Sequence, residues 1–131
     1  MPRLDQTIDV PFVNRTFFPN DKDPSAINKG RCFLWAYIAF RLYKGVELWS
    51  FGSHAFVKQG DRFYDSVSPK GERDWKNLPA CNFGRGCGCP HCVTTEQVSP
   101  KTFKSREYWG KNARNRNIVW KDVREQVQRV V

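Results

Sequence analysis

No stretch of this 131-residue chain approaches the roughly 20 consecutive apolar residues that a bilayer-spanning helix requires. A helical membrane span is therefore excluded, and the expectation is no membrane partner. The opening residues MPRLDQTIDV lack the apolar core of a secretory signal, so the protein is expected to remain cytoplasmic. Histidine is scarce, with only His54 and His91, and the five cysteines are an odd number. Without an export signal, that count suits a reducing compartment, where close-set thiols more often bind metal or do chemistry than form disulfides. There is no internal repeat, and no composition shift marks a linker. Acidic residues are also short: 13 Asp and Glu stand against 22 Lys and Arg, a formal charge of +9.

What is present argues for one folded unit. A hydrophobic content of 40% with 15% aromatics can offset the entropy of ordering the backbone, which excludes disorder. The length suits one hydrophobic core, so residues 1–131 are read as a single domain. The charge is uneven: residues 100–131 carry nine Lys and Arg against three acids, and residues 1–99 carry thirteen against ten. A basic C-terminal region of this kind is either a solvated helical face or a surface for nucleic acid or an acidic protein.

Residues 1–31 hold scattered apolar side chains broken by Pro11, Pro19 and Pro24, which predicts an extended, loop-rich lead-in. The run CFLWAYIAFRLYKG from Cys32 is apolar or aromatic at eleven of its first twelve positions. That predicts a helix buried nearly all round, with Gly45 as its C-terminal cap. VELWSF (46–51) reads as a strand, and HAFVKQGDRFYDSV (54–67) as a β-hairpin. If Gln59 and Gly60 form the turn, His54 stands directly opposite Asp65, with the Phe56–Phe63 pair beside them on one face. Residues 68–92, rich in Gly, Pro, Asn and Cys, predict a long loop with a function or a stabilising ligand. A short helix is expected after Ser99-Pro100, and the apolar spacing of Ile118, Val119, Val123, Val127 and Val130 predicts a helical C-terminal region.

Three residues form a candidate catalytic constellation: Cys32 at a helix start, His54 at a strand start, and Asp65 across the hairpin. A thiol reacts as its thiolate, which a helix N-terminus and a neighbouring imidazolium both favour. A carboxylate on the second ring nitrogen would fix the tautomer and orientation of the histidine, the logic of nucleophile, base and orienter. Acyl transfer also needs oxyanion donors; the Cys32 backbone N–H is one candidate and the Asn28 side chain another. The bland alternative is a small buried cysteine and a structural histidine.

GRCFLWAYIAFRLYKG followed by HAFVKQGDRFYDS resembles the core of the papain-like cysteine peptidase superfamily, particularly its transglutaminase-like branch. In that group a G-x-C opens the central helix, and an H-A-[FW]-V strand turns into a strand bearing the triad acid. The resemblance covers about residues 30–66. It implies an α+β fold with the nucleophile helix packed on a small antiparallel sheet, and Cys32, His54 and Asp65 as nucleophile, general acid/base and orienting acid. It also implies hydrolysis or transfer of an amide, peptide or isopeptide bond of a protein or peptide through a thioester. Only 21 residues separate Cys32 from His54, room for a single strand between them.

CNFGRGCGCPHC offers Cys81, Cys87, Cys89, His91 and Cys92 within twelve residues. Zinc takes four thiolate or imidazole ligands, and the Cys89-x2-Cys92 pair on a Gly-rich turn suits it. Cys81 and Cys87 complete a four-cysteine structural zinc site, with His91 as a possible substitute for one of them. The CPHC motif also reads as a redox pair, but the chain around it lacks the strand and apolar helix of that context. Residues 101–129 interleave bases with Phe103, Tyr108, Trp109 and Trp120, a composition that can hold single-stranded nucleic acid. The alternative to an enzyme is therefore a noncatalytic zinc-containing module that binds nucleic acid or a protein through this region. A third reading keeps the papain-like fold without activity, as a binding protein or inhibitor.

Overall fold

The computed structural model describes residues 3–51, 54–82, 96–105 and 107–131. Within the N-terminal segment, where the prolines predict an extended chain, residues Val10–Phe17 form a helix, α1. Pro11 lies in its first turn, where a missing N–H breaks no helical bond. The Asp9 side chain caps the end by accepting from the Phe12 N–H at 3.1 Å. The residue that reads as a breaker thus marks the helix start.

Helix α2, Cys32–Leu42, forms where the apolar run predicts it, and eight of its eleven residues are buried. Such a helix needs cover on several sides. It receives this from the sheet on one side and from α1 and the C-terminal helix on others. Its C-terminal cap is Tyr43, in an extended conformation, rather than Gly45. Gly45, with φ +73°, instead turns the chain into the first strand.

The sheet is antiparallel and four-stranded, β1 (Val46–Phe51), β2 (His54–Gln59), β3 (Arg62–Tyr64) and β4 (Glu96–Val98), in the spatial order β3-β2-β1-β4. The architecture is α+β. The hairpin register differs from the sequence expectation by two residues: Gln59 pairs with Arg62, and Val57 with Tyr64. The turn is Gly60-Asp61, with Gly60 at φ +62°, a first central residue suited to a type II′ turn. Gln59 is held in the ladder because its side chain clamps the N-terminal segment. Its Oε1 accepts from the Ile8 N–H, while Nε2 donates to the carbonyls of Gln6 and Lys44.

Strand alternation divides the core. Leu48, Ala55, Val57 and Tyr64 face α2 and the main cluster, whereas Phe51, Phe56 and Phe63 face a smaller cluster with Leu78 and Cys81. That second cluster is covered by a 3-10 turn at Trp75–Asn77 and a short helix, α3 (Pro79–Asn82). The segment read as one long loop therefore begins as a layer over the sheet. The strand β4 has no clear signal in its sequence and forms by pairing along β1.

Beyond it come α4 (Pro100–Ser105), α5 (Glu107–Asn115) and α6 (Trp120–Val130). The side chain of Ser99 caps α4 by accepting from the Thr102 N–H at 3.2 Å. At the end of α5 the N–H of Ile118 reaches the carbonyl of Ala113 and that of Asn117 reaches Arg114. With Asn117 at φ +57°, this is a Schellman motif built on asparagine. Among the described residues, no helix is long and apolar enough to cross a membrane.

Candidate active site

Cys32 is the first residue of α2. Arg31 at the N-cap makes no side-chain cap, and no acid stands in the first turn. The helix end thus keeps its partial positive charge, which favours a thiolate or a developing oxyanion beside it. The Arg31 guanidinium turns away to Asp21, 2.6 Å from Oδ1. The Cys32 sulfur accepts from the backbone N–H of Ala55 at 3.4 Å, so the helix start is seated on the first residues of β2. With Cys32 only 5% exposed, the sulfur lies at the margin of the core.

His54 opens β2 on the face of Phe56 and Phe63. Its ring stacks on Phe56 at 5.7 Å between centroids. The Asp65 carboxylate accepts from His54 Nε2, with Oδ2 at 3.1 Å. His54 also hydrogen-bonds Cys32, and since Nε2 is taken by Asp65, Nδ1 is the nitrogen left for the sulfur. Burial by itself would depress the imidazolium. The hydrogen bonds to Asp65 and then Cys32, reinforced by the negative charges of both groups, override it and raise the His54 pKa from 6.5 to about 9.

The contact between His54 and Asp65 is diagonal. In the observed register Asp65, just past β3, falls beside Phe56 and not opposite His54. A shift of two residues leaves every side chain on its original face, so the predicted partner is retained although the predicted pairing is not. Asp65 is 1% exposed, and its second oxygen accepts from the Val67 N–H at 3.1 Å. Behind it, Asn14 of α1 links two elements: its oxygen accepts from Trp35 Nε1 at 2.8 Å, and its amide donates to the Ser66 carbonyl at 2.9 Å. The sequence gives no local sign of this bridge, because its three residues come from three separate elements.

Asn28 lies four residues before Cys32. The Ser66 hydroxyl donates to the Pro24 carbonyl at 2.9 Å, and the Asn28 side-chain amide lies 3.2 Å from the same hydroxyl oxygen, so Asn28 belongs to the corner that holds the Asp65 segment. A groove of about 630 Å³ lies behind that corner, lined by Asn14, Phe18, Asp21 and Ser66 among others. Cys32 and His54 do not line it, so it is separate from the Cys32 sulfur.

Of the metal-ligand candidates only Cys81 is described; Cys87, Cys89, His91 and Cys92 lie outside the described residues. Cys81 is 1% exposed and packs with Leu78 and Phe56 on the His54 face of the sheet. Among the described residues no group of three or more His, Cys, Asp and Glu side chains gathers in a way that could hold a metal. In the basic C-terminal region, Phe103 and Trp109 are fully buried and pack against each other with tilted rings, centroids 4.5 Å apart. Trp120 packs edge-on to Tyr37 at 4.8 Å. These three aromatics serve the core, while Lys101, Lys111, Arg114 and Lys121 are exposed.

Comparison of the chain with protein-family models, with curated proteins and with solved structures gives no match.

Proposed function

We propose that this chain is a thiol-dependent acyl-transfer enzyme with a papain-like core, acting on an amide, peptide or isopeptide bond. The observation that carries this reading is the buried His54 ring, with Asp65 on one nitrogen and Cys32 at the other. In the proposed reaction the Cys32 sulfur attacks the carbonyl carbon, and the charge on its oxygen is met by the N-terminal N–H groups of α2. His54, held as imidazolium by Asp65, gives its proton to the departing amine, leaving a thioester on Cys32. The neutral ring then takes a proton from water or from an acceptor amine as that nucleophile releases the acyl group. Water gives hydrolysis, and an amine gives transfer.

We further propose that Cys81, Cys87, Cys89 and Cys92 bind one structural zinc ion. The spacing of the cysteines supports this, as does the position of Cys81 in the layer over the His54 face. Zinc there would tether that layer and would take no part in the acyl chemistry. The rival reading, a nucleic-acid or acidic-protein module acting through residues 101–129, rests on net charge. Burial of Phe103 and Trp109 removes two of the stacking surfaces it would use.

The test is alkylation by iodoacetamide at neutral pH, followed on the tryptic peptide 32–41. Cys32 should react faster than a model thiol, and His54→Ala should slow it at least tenfold. Equal rates in the two proteins would sink the acyl-transfer reading.

A further inference from the structure

The groove behind the Asp65 corner is walled by residues that offer a ligand little to hydrogen-bond. Pro11, Pro19, Pro24 and Pro69 line it together with Phe18 and Val67. Proline carries no backbone N–H and has its φ fixed by the ring, so this wall is both apolar and stiff. Three of the prolines sit at fixed points of the chain. Pro11 lies in the first turn of α1, Pro19 directly follows its C-cap Phe18, and Pro24 opens a 3-10 turn capped by Asp23. The concave shape is thus preformed by backbone geometry, and its volume of about 630 Å³ falls in the range of small-molecule sites.

The polar residues of the groove differ in how far they are committed. Asp21 is the acid on the lining; its Oδ1 pairs with the Arg31 guanidinium at 2.6 Å, and its Oδ2 is buried. Asn14 and Ser66 are tied to Trp35, to each other and to Pro24. Arg15 and Lys22 also line the groove, and both are exposed. Among the described residues neither has a carboxylate partner. The Arg15 guanidinium lies 5.4 Å from the Phe12 ring centroid, a contact that leaves the side chain exposed. The groove therefore combines an apolar wall with two uncompensated positive charges.

We propose that this groove binds a small organic anion with an apolar body, its charged head met by Arg15 and Lys22 and its body laid on the proline wall. A cationic ligand would meet two like charges, and a neutral one would gain nothing from them, so the anion is the class that uses the whole lining. The site is distinct from Cys32 and His54, and it does not depend on the acyl-transfer reading. It shares a wall with that pair's surroundings, because Ser66 and Val67 line the groove and the Val67 N–H holds Asp65 Oδ1.

The experiment uses the full chain with two probes, anionic anilinonaphthalene sulfonate and neutral phenylnaphthylamine, which has the same aromatic body without the sulfonate. Fluorescence reads the dissociation constants, and amide shifts in NMR spectra read the place of binding. The sulfonate should bind more tightly than the neutral probe, shift the amides of Arg15, Lys22, Ser66 and Val67, and weaken as salt is raised. The double substitution Arg15→Gln with Lys22→Gln should weaken the sulfonate about three- to tenfold, the scale of two exposed ion pairs, and leave the neutral probe within about twofold. Both side chains are exposed, so the double variant should melt at the wild-type temperature. A sulfonate affinity unchanged in the double variant overturns the proposal, as does equal affinity of the two probes for the wild-type chain. Two readouts need no variant at all: amide shifts confined to residues away from the groove, or sulfonate binding indifferent to salt, overturn it as well.

Discussion

Asp65 reaches His54 diagonally, from two residues nearer the turn than the position directly across the ladder, with Oδ2 3.1 Å from Nε2. The diagonal contact exists because the turn is Gly60-Asp61, which pairs Gln59 with Arg62. The carboxylate and imidazole remain on one face of the sheet, buried at 1% and 7% exposure. This single contact does most to hold the His54 imidazolium charged, and the predictions begin from it.

The His54 ring should titrate at about pH 9, observable by 15N NMR against His91 as the only other imidazole. Asp65→Asn should move that titration to lower pH. The folded-state value is raised above the ordinary 6.5, so the stability it contributes is complete below pH 6.5 and is lost as pH rises through about 9. The wild-type melting temperature should therefore fall over that window more than that of His54→Gln. A His54 ring titrating below 6.5 in the wild-type chain contradicts this account.

Asn14→Ala removes the acceptor for Trp35 Nε1 and the donor to the Ser66 carbonyl. Trp35 is 1% exposed, so its N–H is left buried without a partner, at a cost of about 1–3 kcal/mol. Because Ser66 follows Asp65, iodoacetamide labelling of Cys32 should also slow. Urea denaturation and labelling rate together check it, and loss of stability with full Cys32 reactivity would separate the bridge from the site.

Asn117 holds φ +57° at the end of α5, a conformation that asparagine and glycine accept and β-branched residues resist. Asn117→Val should destabilise the fold by about 1–2 kcal/mol, whereas Asn117→Gly should match the wild type or exceed it. The same denaturation series reads both. Equal stability of the valine and glycine variants would mean the cap does not constrain the chain.

Elemental analysis of protein purified without chelator should give about one zinc per chain. Removing it should lower the melting temperature while leaving iodoacetamide labelling of Cys32 dependent on His54, since the metal is proposed as a tether. Metal-free protein with the same melting temperature would remove zinc from the description.

The sequence by itself determined α2, the first three strands and the composition of the His54 face. Those features follow from local rules: an apolar run too long for a strand, period-two alternation, and a glycine where a hairpin must turn. It also singled out Cys32, His54 and Asp65, because a two-residue slip in register changes the partner across the ladder and leaves the face unchanged. It misread α1, where proline signals a break and a helix start with the same letter, and it showed no sign of β4, three residues that become a strand only by pairing with β1. The tertiary structure alone decided how the site is assembled. The Asn14 bridge, the Gln59 clamp and the seating of Arg116 on Gly30 join residues 15 to 86 positions apart in the chain. No local pattern encodes such contacts, since each depends on which faces of the helices the core has already turned inward.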